Sequence, residues 1–413
     1  MPTSTSDRAF VWIWLPGERE PVPAGLLRVR GVDLTFQYGT RYLERPNRMS
    51  VYGPELPLTR QAFQATADLH MPGAIRDASP DAWGRRVIMS RLTGDRGRDV
   101  ETDRLPELTY LLESGSNRFG ALDFQASATE YVARTDAATL DELHDAADRV
   151  EAGEPLPPEL GEALLSGTAI GGARPKALIE DGGDQYIAKF SVATDPFPVV
   201  NAEAACMQLA RRAGIEVSEF EVVRSLGRDV LLMKRFDRGP GATRRMAVSG
   251  LTMLGLGEMT SRYGTYPDLY DVLMAHSAAP EHVGEQLFRR IAFNIAISNT
   301  DDHLRNHAAF WNGEHLDLTP AYDLSPMVRS GETARQILAF GRAGERDSRF
   351  HDLVRVSSVY GMSRPAGQGI VDEVVEAIMD GWNEAADIAR LTQVDRQRLW
   401  QRQILNPAVF HRS

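Results

Sequence analysis

The sequence predicts an α+β chain in which small β-rich regions precede a mostly helical remainder. Short β-branched and aromatic runs, punctuated by glycine and proline, fill the first forty residues. A second group of such runs lies between Ala177 and Lys234. From Leu251 onward apolar residues recur at helical spacing.

Phe10 to Leu15, Gly25 to Val29 and Val32 to Tyr38 read as a small antiparallel sheet, and Pro46, Pro54 and Pro57 interrupt it. Ser79-Pro80-Asp81 is a helix start, combining a capping hydroxyl, a first-turn proline and an acid near the positive end of the dipole. Trp83, Val87 and Ile88 supply its buried face. Leu105 to Leu112 reads as a helix and Phe119 to Phe124 as a strand. Thr139 and Glu142 have capping-box spacing, with Leu140, Leu143, Ala147 and Val150 following at helical intervals. Gly153 to Pro158 ends that helix and marks a boundary, so the expected regions are 1–155, 156–238 and 239–413. The first of them shows no catalytic constellation.

Gly171-Gly172-Ala173-Arg174-Pro175-Lys176 is a small-residue turn before the strand Ala177 to Glu180. Its amides could approach phosphate, or it is an ordinary β-turn; both readings stand. After the hairpin turn Asp181-Gly182-Gly183, the strand Gln185 to Phe190 carries Lys189. That lysine is either a phosphate contact or a snorkelling strand-end residue. Asn201 is expected to cap a helix ending at Gly214, with Glu203 on its buried face. Glu203 either pairs with Lys189 or complements the helix dipole. The strands Phe220 to Val223 and Val230 to Lys234 follow, after which the backbone of Lys234 to Phe236 could bond an adenine edge.

The helix Glu281 to Ser298 leads into Asn299 to Asn306, reading N-T-D-D-H-L-R-N. Asp301 and Asn306 fit D-x-x-x-x-N, the register of a protein-kinase catalytic loop; Asp302 does not. The chemistry explains the spacing, since a carboxylate must take a proton from an attacking hydroxyl while a nearby neutral oxygen helps hold magnesium. His303 is expected to order this loop. The strand His307 to Trp311, the turn Asn312-Gly313 and the strand His315 to Leu318 then deliver Asp323, placed as a second magnesium ligand. Val371, Val374, Val375, Ile378 and Trp382 form the apolar stripe of a late core helix.

A chain of 413 residues is expected to hold two or three domains. Its net charge of -11 argues against broad, direct nucleic-acid binding. Cys206 is the single cysteine, which excludes an internal disulfide and suits a reducing cytoplasm. The early apolar run Ala9 to Leu15 is too short for a signal core or a bilayer span, so a cytoplasmic protein without membrane contact is expected.

Together, G-G-A-R-P-K, Y-I-A-K-F, N-A-E, L-L-M-K-R-F-D-R, N-T-D-D-H-L-R-N-H and P-A-Y-D-L-S-P resemble the HipA family of bacterial serine/threonine kinase toxins. The likeness runs from about Ala169 to Pro326, and D-A-S-P-D-A-W-G-R-R and R-F-G-A-L resemble that family's amino-terminal subdomain. It implies a two-lobed protein-kinase-like fold, a small β-rich lobe and a larger helical lobe, preceded by a small β-rich N-terminal subdomain. It further implies ATP and magnesium, with Gly171, Gly172, Lys176, Lys189, Glu203, Lys234 and Phe236 around the nucleotide. Asp301 would be the catalytic base, with Asn306 and Asp323 as metal ligands. A small DNA-binding antitoxin of the HipB kind is implied as partner, touching DNA on this chain's behalf. An aminoacyl-tRNA synthetase is the implied type of protein substrate.

Family members also phosphorylate themselves on a serine just before the glycine turn, and the modified loop is ejected. Here that position falls on or near Ala169, leaving Ser166 and Thr168 as the nearby hydroxyls. The phosphoacceptor has shifted or this control is absent. Two rival classes stay open: a small-molecule kinase of similar fold, and a co-repressor that binds the antitoxin without turnover.

Overall fold

A computed structural model describes residues 6–65, 69–93, 101–135, 138–165, 167–170, 174–192, 194–329 and 331–411. The chain divides into two compact units. Unit 1 comprises 1–192, 224–248 and 310–314; unit 2 comprises 193–223, 249–309 and 315–413.

Unit 1 opens with a five-stranded sheet. Its strands are β1 (Arg8–Ile13), β2 (Val22–Arg30), β3 (Asp33–Tyr38), β4 (Ala62–Gln64) and β5 (Leu122–Gln125), in the order β4-β3-β2-β1-β5. The first three are the expected strands, with ends moved by three residues or fewer. Alternation sets the buried face: Ala9, Val11, Leu27, Leu34 and Phe36 point inward, while Arg8, Arg28 and Gln37 face water. The helix Ala82–Thr93 starts after Asp81, whose Oδ1 accepts the Gly84 N–H at 3.0 Å; the cap is therefore Asp81 rather than Ser79. Thr139 forms the expected capping box with Glu142 at the start of Leu140–Ala152.

A second sheet contains β6 (Lys176–Asp181), β7 (Asp184–Phe190), β8 (Phe220–Ser225) and β9 (Arg228–Lys234), ordered β6-β7-β9-β8. β6 and β7 pair antiparallel so that Lys176 stands directly opposite Lys189, and β7 pairs with β9 so that Lys189 faces Leu231.

In unit 2 the helix Val199–Arg212 begins two residues before the expected cap. Asn201 lies inside it, buried, and donates Nδ2–H to Ala389 O at 2.8 Å, so a tertiary bond replaces the anticipated capping role. The helix Pro280–Ala296 buries Leu287, Phe288, Ile291 and Ile295, and Arg364–Ile388 buries Val371, Val374, Ile378 and Trp382. No helix among the described residues is long and apolar enough to cross a membrane.

Candidate functional site

The loop after Pro280–Ala296 turns through Ser298 at φ 55°, a left-handed backbone that carries the chain away from the helix axis. Asp301 and Asp302, neighbours in sequence, then part company. Asp301 is exposed, whereas Asp302 is 3% exposed and faces the core. Three donors converge on Asp302 Oδ2: the Tyr266 hydroxyl, Asn294 Nδ2 at 2.7 Å and His307 Nε2 at 3.0 Å. Burying a carboxylate is costly unless donors satisfy it, and these hold the loop by its second acid. The D-x-x-x-x-N register passes over Asp302 and gives no sign of this anchoring role.

The loop closes on itself. Asn306 Nδ2 donates to Asp301 O at 3.3 Å, and Asn306 N–H donates to His303 O at 2.8 Å through a short 3-10 turn, Leu304–Asn306. His303 thus shapes the loop through its backbone. Gly250 packs behind this turn: a Cβ there would lie 2.7 Å from Leu304 O, and the glycine N–H donates to His307 O at 2.7 Å. The returning strand meets the loop's far side, where Thr319 N–H donates to Ala308 O at 3.0 Å. Tyr322 Oη donates to Arg305 O at 2.7 Å, and Asn299 Nδ2 to Asp323 O at 3.3 Å. Asp323 takes φ 59°, a conformation that non-glycine residues occupy at a cost and that collects at functional sites. Unit 2 therefore ties Asp301, Asn306 and Asp323 to one hydrogen-bonded framework.

Among the described residues no group of three or more His, Cys, Asp and Glu could hold a metal ion. The donors available at the loop suit a different kind of site. Asn306 spends its amide N–H on Asp301 O and keeps Oδ1, and Asp323 brings carboxylate oxygens. Magnesium takes such hard oxygen ligands, one or two from protein, and fills the rest with water and phosphate.

Glu203 is buried in the helix Val199–Arg212 of unit 2. The remaining expected residues belong to unit 1. Lys189 is half-buried on β7. Lys176 is 3% exposed, and its Nζ lies 3.3 Å from Asp81 Oδ2. Lys234 pairs with Asp184 at 2.7 Å, and the next N–H, of Arg235, donates to Gln185 O at 2.8 Å, extending the β7–β9 ladder. Phe236 packs edge-on against Phe119 and Phe310, with centroids 6.3 and 5.8 Å away. Thr168 is fully buried and donates Oγ1–H to Leu165 O at 2.7 Å. Gly171, Gly172 and Ser166 lie outside the described residues.

Around Arg235 and Arg238 runs a buried ionic network. Arg235 forks onto both oxygens of Asp237, at 2.9 and 2.7 Å, and also donates to Arg118 O at 2.6 Å. Arg238 donates to Gly120 O at 2.9 Å and Asn117 Oδ1 at 2.8 Å, while Gly120 N–H donates to Asp237. Burial raises the Asp237 pKa, but Arg235 and Arg238 outweigh it and hold the carboxyl below the usual range.

Comparison with known proteins agrees with this architecture. The toxin YjjJ of Escherichia coli (strain K12) is 27% identical over 181 residues, 41% of this chain and 40% of YjjJ. The Sinorhizobium fredii protein Y4mE is 29% identical over 151 residues, 35% of this chain and 36% of Y4mE. The matched stretches span well under half the length of these curated relatives. Among solved structures, a chain of the Shewanella oneidensis MR-1 toxin-antitoxin complex of HipA, HipB and operator DNA superposes with TM-score 0.68 at 18% identity. That match covers 98% of this chain and 100% of the other, and shows a shared fold. The HipA-like C-terminal domain family matches residues 168–382, more than half of the sequence. The chain belongs to the HipA family.

Proposed function

We propose that this chain is an ATP-dependent protein kinase that phosphorylates serine or threonine and serves as the toxin of a toxin-antitoxin pair. One observation carries the reading: the D-x-x-x-x-N loop presents Asp301 to solvent while Asp302 locks the loop from behind and Asn306 and Asp323 join the same framework. Family membership supports it, as do the kinase name borne by Y4mE and the toxin name borne by YjjJ.

In this reading a protein hydroxyl gives its proton to the Asp301 carboxylate and attacks the γ-phosphorus. The new O–P bond forms as the bond to the β-phosphate oxygen breaks, and ADP leaves. In this reading Lys189 and the Gly171-Gly172 amides orient the phosphates, and the backbone near Phe236 receives the adenine. Asn306 and Asp323 would hold magnesium, which offsets charge on the phosphates when bound. Thr168 is a self-phosphorylation acceptor only in a conformation that exposes it, since its hydroxyl is enclosed. The antitoxin is a small DNA-binding protein, as the HipB complex of the fold relative supports, and the target is a translation component such as an aminoacyl-tRNA synthetase.

The test is incubation with labelled ATP and magnesium, alone and with cell lysate, for wild type and Asp301→Asn, followed by mass mapping. Label on a serine or threonine, absent with the variant, supports the reading. Retained label with Asp301→Asn removes Asp301 from its role, and transfer only to metabolites replaces the protein-kinase reading with the small-molecule one.

A further inference from the structure

The D-A-S-P-D-A-W-G-R-R segment carries no catalytic constellation, yet its helix start touches both sides of the glycine turn. On the upstream side, Gly84 meets Thr168 so closely that a Cβ would lie 2.0 Å from the Thr168 carbonyl oxygen. On the downstream side, Trp83 Nε1–H donates to Lys176 O at 3.1 Å. Asp81 has a double duty: Oδ1 caps the helix at Gly84 N–H, and Oδ2 faces Lys176 Nζ at 3.3 Å. Trp83 and Thr168 are fully buried, and the Asp81 and Lys176 side chains are 15% and 4% exposed. The nearby R-F-G-A-L segment adds a second hold, Phe119 N–H donating to Ala169 O at 2.9 Å. Past the turn, β7 holds the exit, with Phe190 N–H donating to Pro175 O at 3.1 Å.

The charge arrangement gives this anchoring a chemical purpose. Lys176 and Lys189 stand directly opposite on neighbouring antiparallel strands, so their side chains project from the same face. Like charges in that relation repel, and a buried ammonium needs a partner. Asp81 offsets the charge of Lys176, the residue directly opposite Lys189.

We propose that Asp81, Trp83 and Gly84 are positioning residues for nucleotide binding: they fix the segments Thr168–Ala169 and Pro175–Lys176, and Asp81 tunes the charge beside Lys189. This rests on the kinase reading above. It gives the N-terminal subdomain a role in nucleotide affinity without contact to the substrate, and it assigns Lys176 to the anchor in place of phosphate.

The experiment compares ATP KM and kcat for wild type, Asp81→Asn, Trp83→Phe, Gly84→Ala and the double variant Asp81→Asn/Lys176→Gln, with a thermal melt of each. The expected result is an ATP KM raised tenfold or more in Asp81→Asn and Gly84→Ala, with kcat changed much less. The double variant, which removes the acid and the buried cation together, should recover most of the lost affinity, a rescue that loss of general stability does not produce. Trp83→Phe, which deletes only the ring N–H and part of the ring, tests the anchor if either stronger variant fails to fold. ATP KM values within twofold of an active wild type in the folded variants overturn the proposal while leaving the kinase reading intact. A wild type that neither binds ATP nor transfers phosphate overturns that reading, and the proposal with it.

Discussion

Asn306 donates its side-chain N–H to the main-chain oxygen of Asp301 across 3.3 Å, so the two ends of the D-x-x-x-x-N register are bonded to each other. The spacing is thereby a closed loop, and the amide oxygen left over points to ligand chemistry.

Asp301→Asn should reduce phosphoryl transfer by about 10²–10⁴-fold, the range for removing a general base. Because Asp301 is exposed, the thermal midpoint should stay at the wild-type value. Transfer assays and a melt on the same preparation check both halves.

Asp302→Ala should do the reverse to the fold. It strands three buried donors, each at a cost of about 1–3 kcal/mol, so a loss of roughly 3 kcal/mol or more is expected in urea unfolding. A change under half a kilocalorie, on the order of a surface substitution, would show that the loop does not depend on this anchor.

Asp323→Gly separates stability from activity. Glycine adopts φ 59° without the penalty of about 1–3 kcal/mol that a side chain incurs in such sparsely populated backbone regions, which offsets the lost side-chain contacts, so the melting temperature should change little. Magnesium-dependent transfer should drop to background, as read by labelled ATP.

Lys189→Ala should raise the ATP KM with a smaller effect on kcat, as measured by steady-state kinetics over a range of ATP concentrations. An unchanged ATP dependence would move the phosphate contact elsewhere.

His144 gives the chain a pH dependence unrelated to catalysis. Burial, reinforced by Arg228, pushes its imidazole below the ordinary 6.5. The unfolded chain then binds a proton that the folded one refuses, so this contribution to stability is present above that value and is lost as pH falls below it. Its ring stacks on Phe190 at 4.6 Å, and Nδ1 lies 3.0 Å from Ser225 Oγ. The urea midpoint should fall further between pH 7.5 and 5.0 in wild type than in His144→Gln; equal falls would assign the dependence to other groups.

Much of this was legible in the sequence because local chemistry dictates it. Short β-branched and aromatic runs between proline, glycine and charged residues marked β1 to β3, and the Thr139–Glu142 spacing specified its own cap. The Asp301 to Asn306 register was readable because kinase chemistry in general places an acid and an asparagine at that distance. What escaped reading depends on partners remote in sequence. Tyr266 lies 36 residues from Asp302, Asp81 lies 95 from Lys176, and Ala389 lies 188 from Asn201. No periodicity reports such pairings. The left-handed turn at Asp323 was hidden for another reason, since a non-glycine residue gives no local sign of positive φ.

The ionic network around Arg235, Asp237 and Arg238 bears on inheritance. Its acceptors Arg118 O, Gly120 O and Asn117 Oδ1 come from before residue 155, and its guanidinium groups come from after residue 230. A gene fusion or domain exchange that replaced the residues before 155 would leave these buried arginines facing oxygens they did not evolve against. The two segments are thus expected to travel through evolution as one cassette, changing together or not at all.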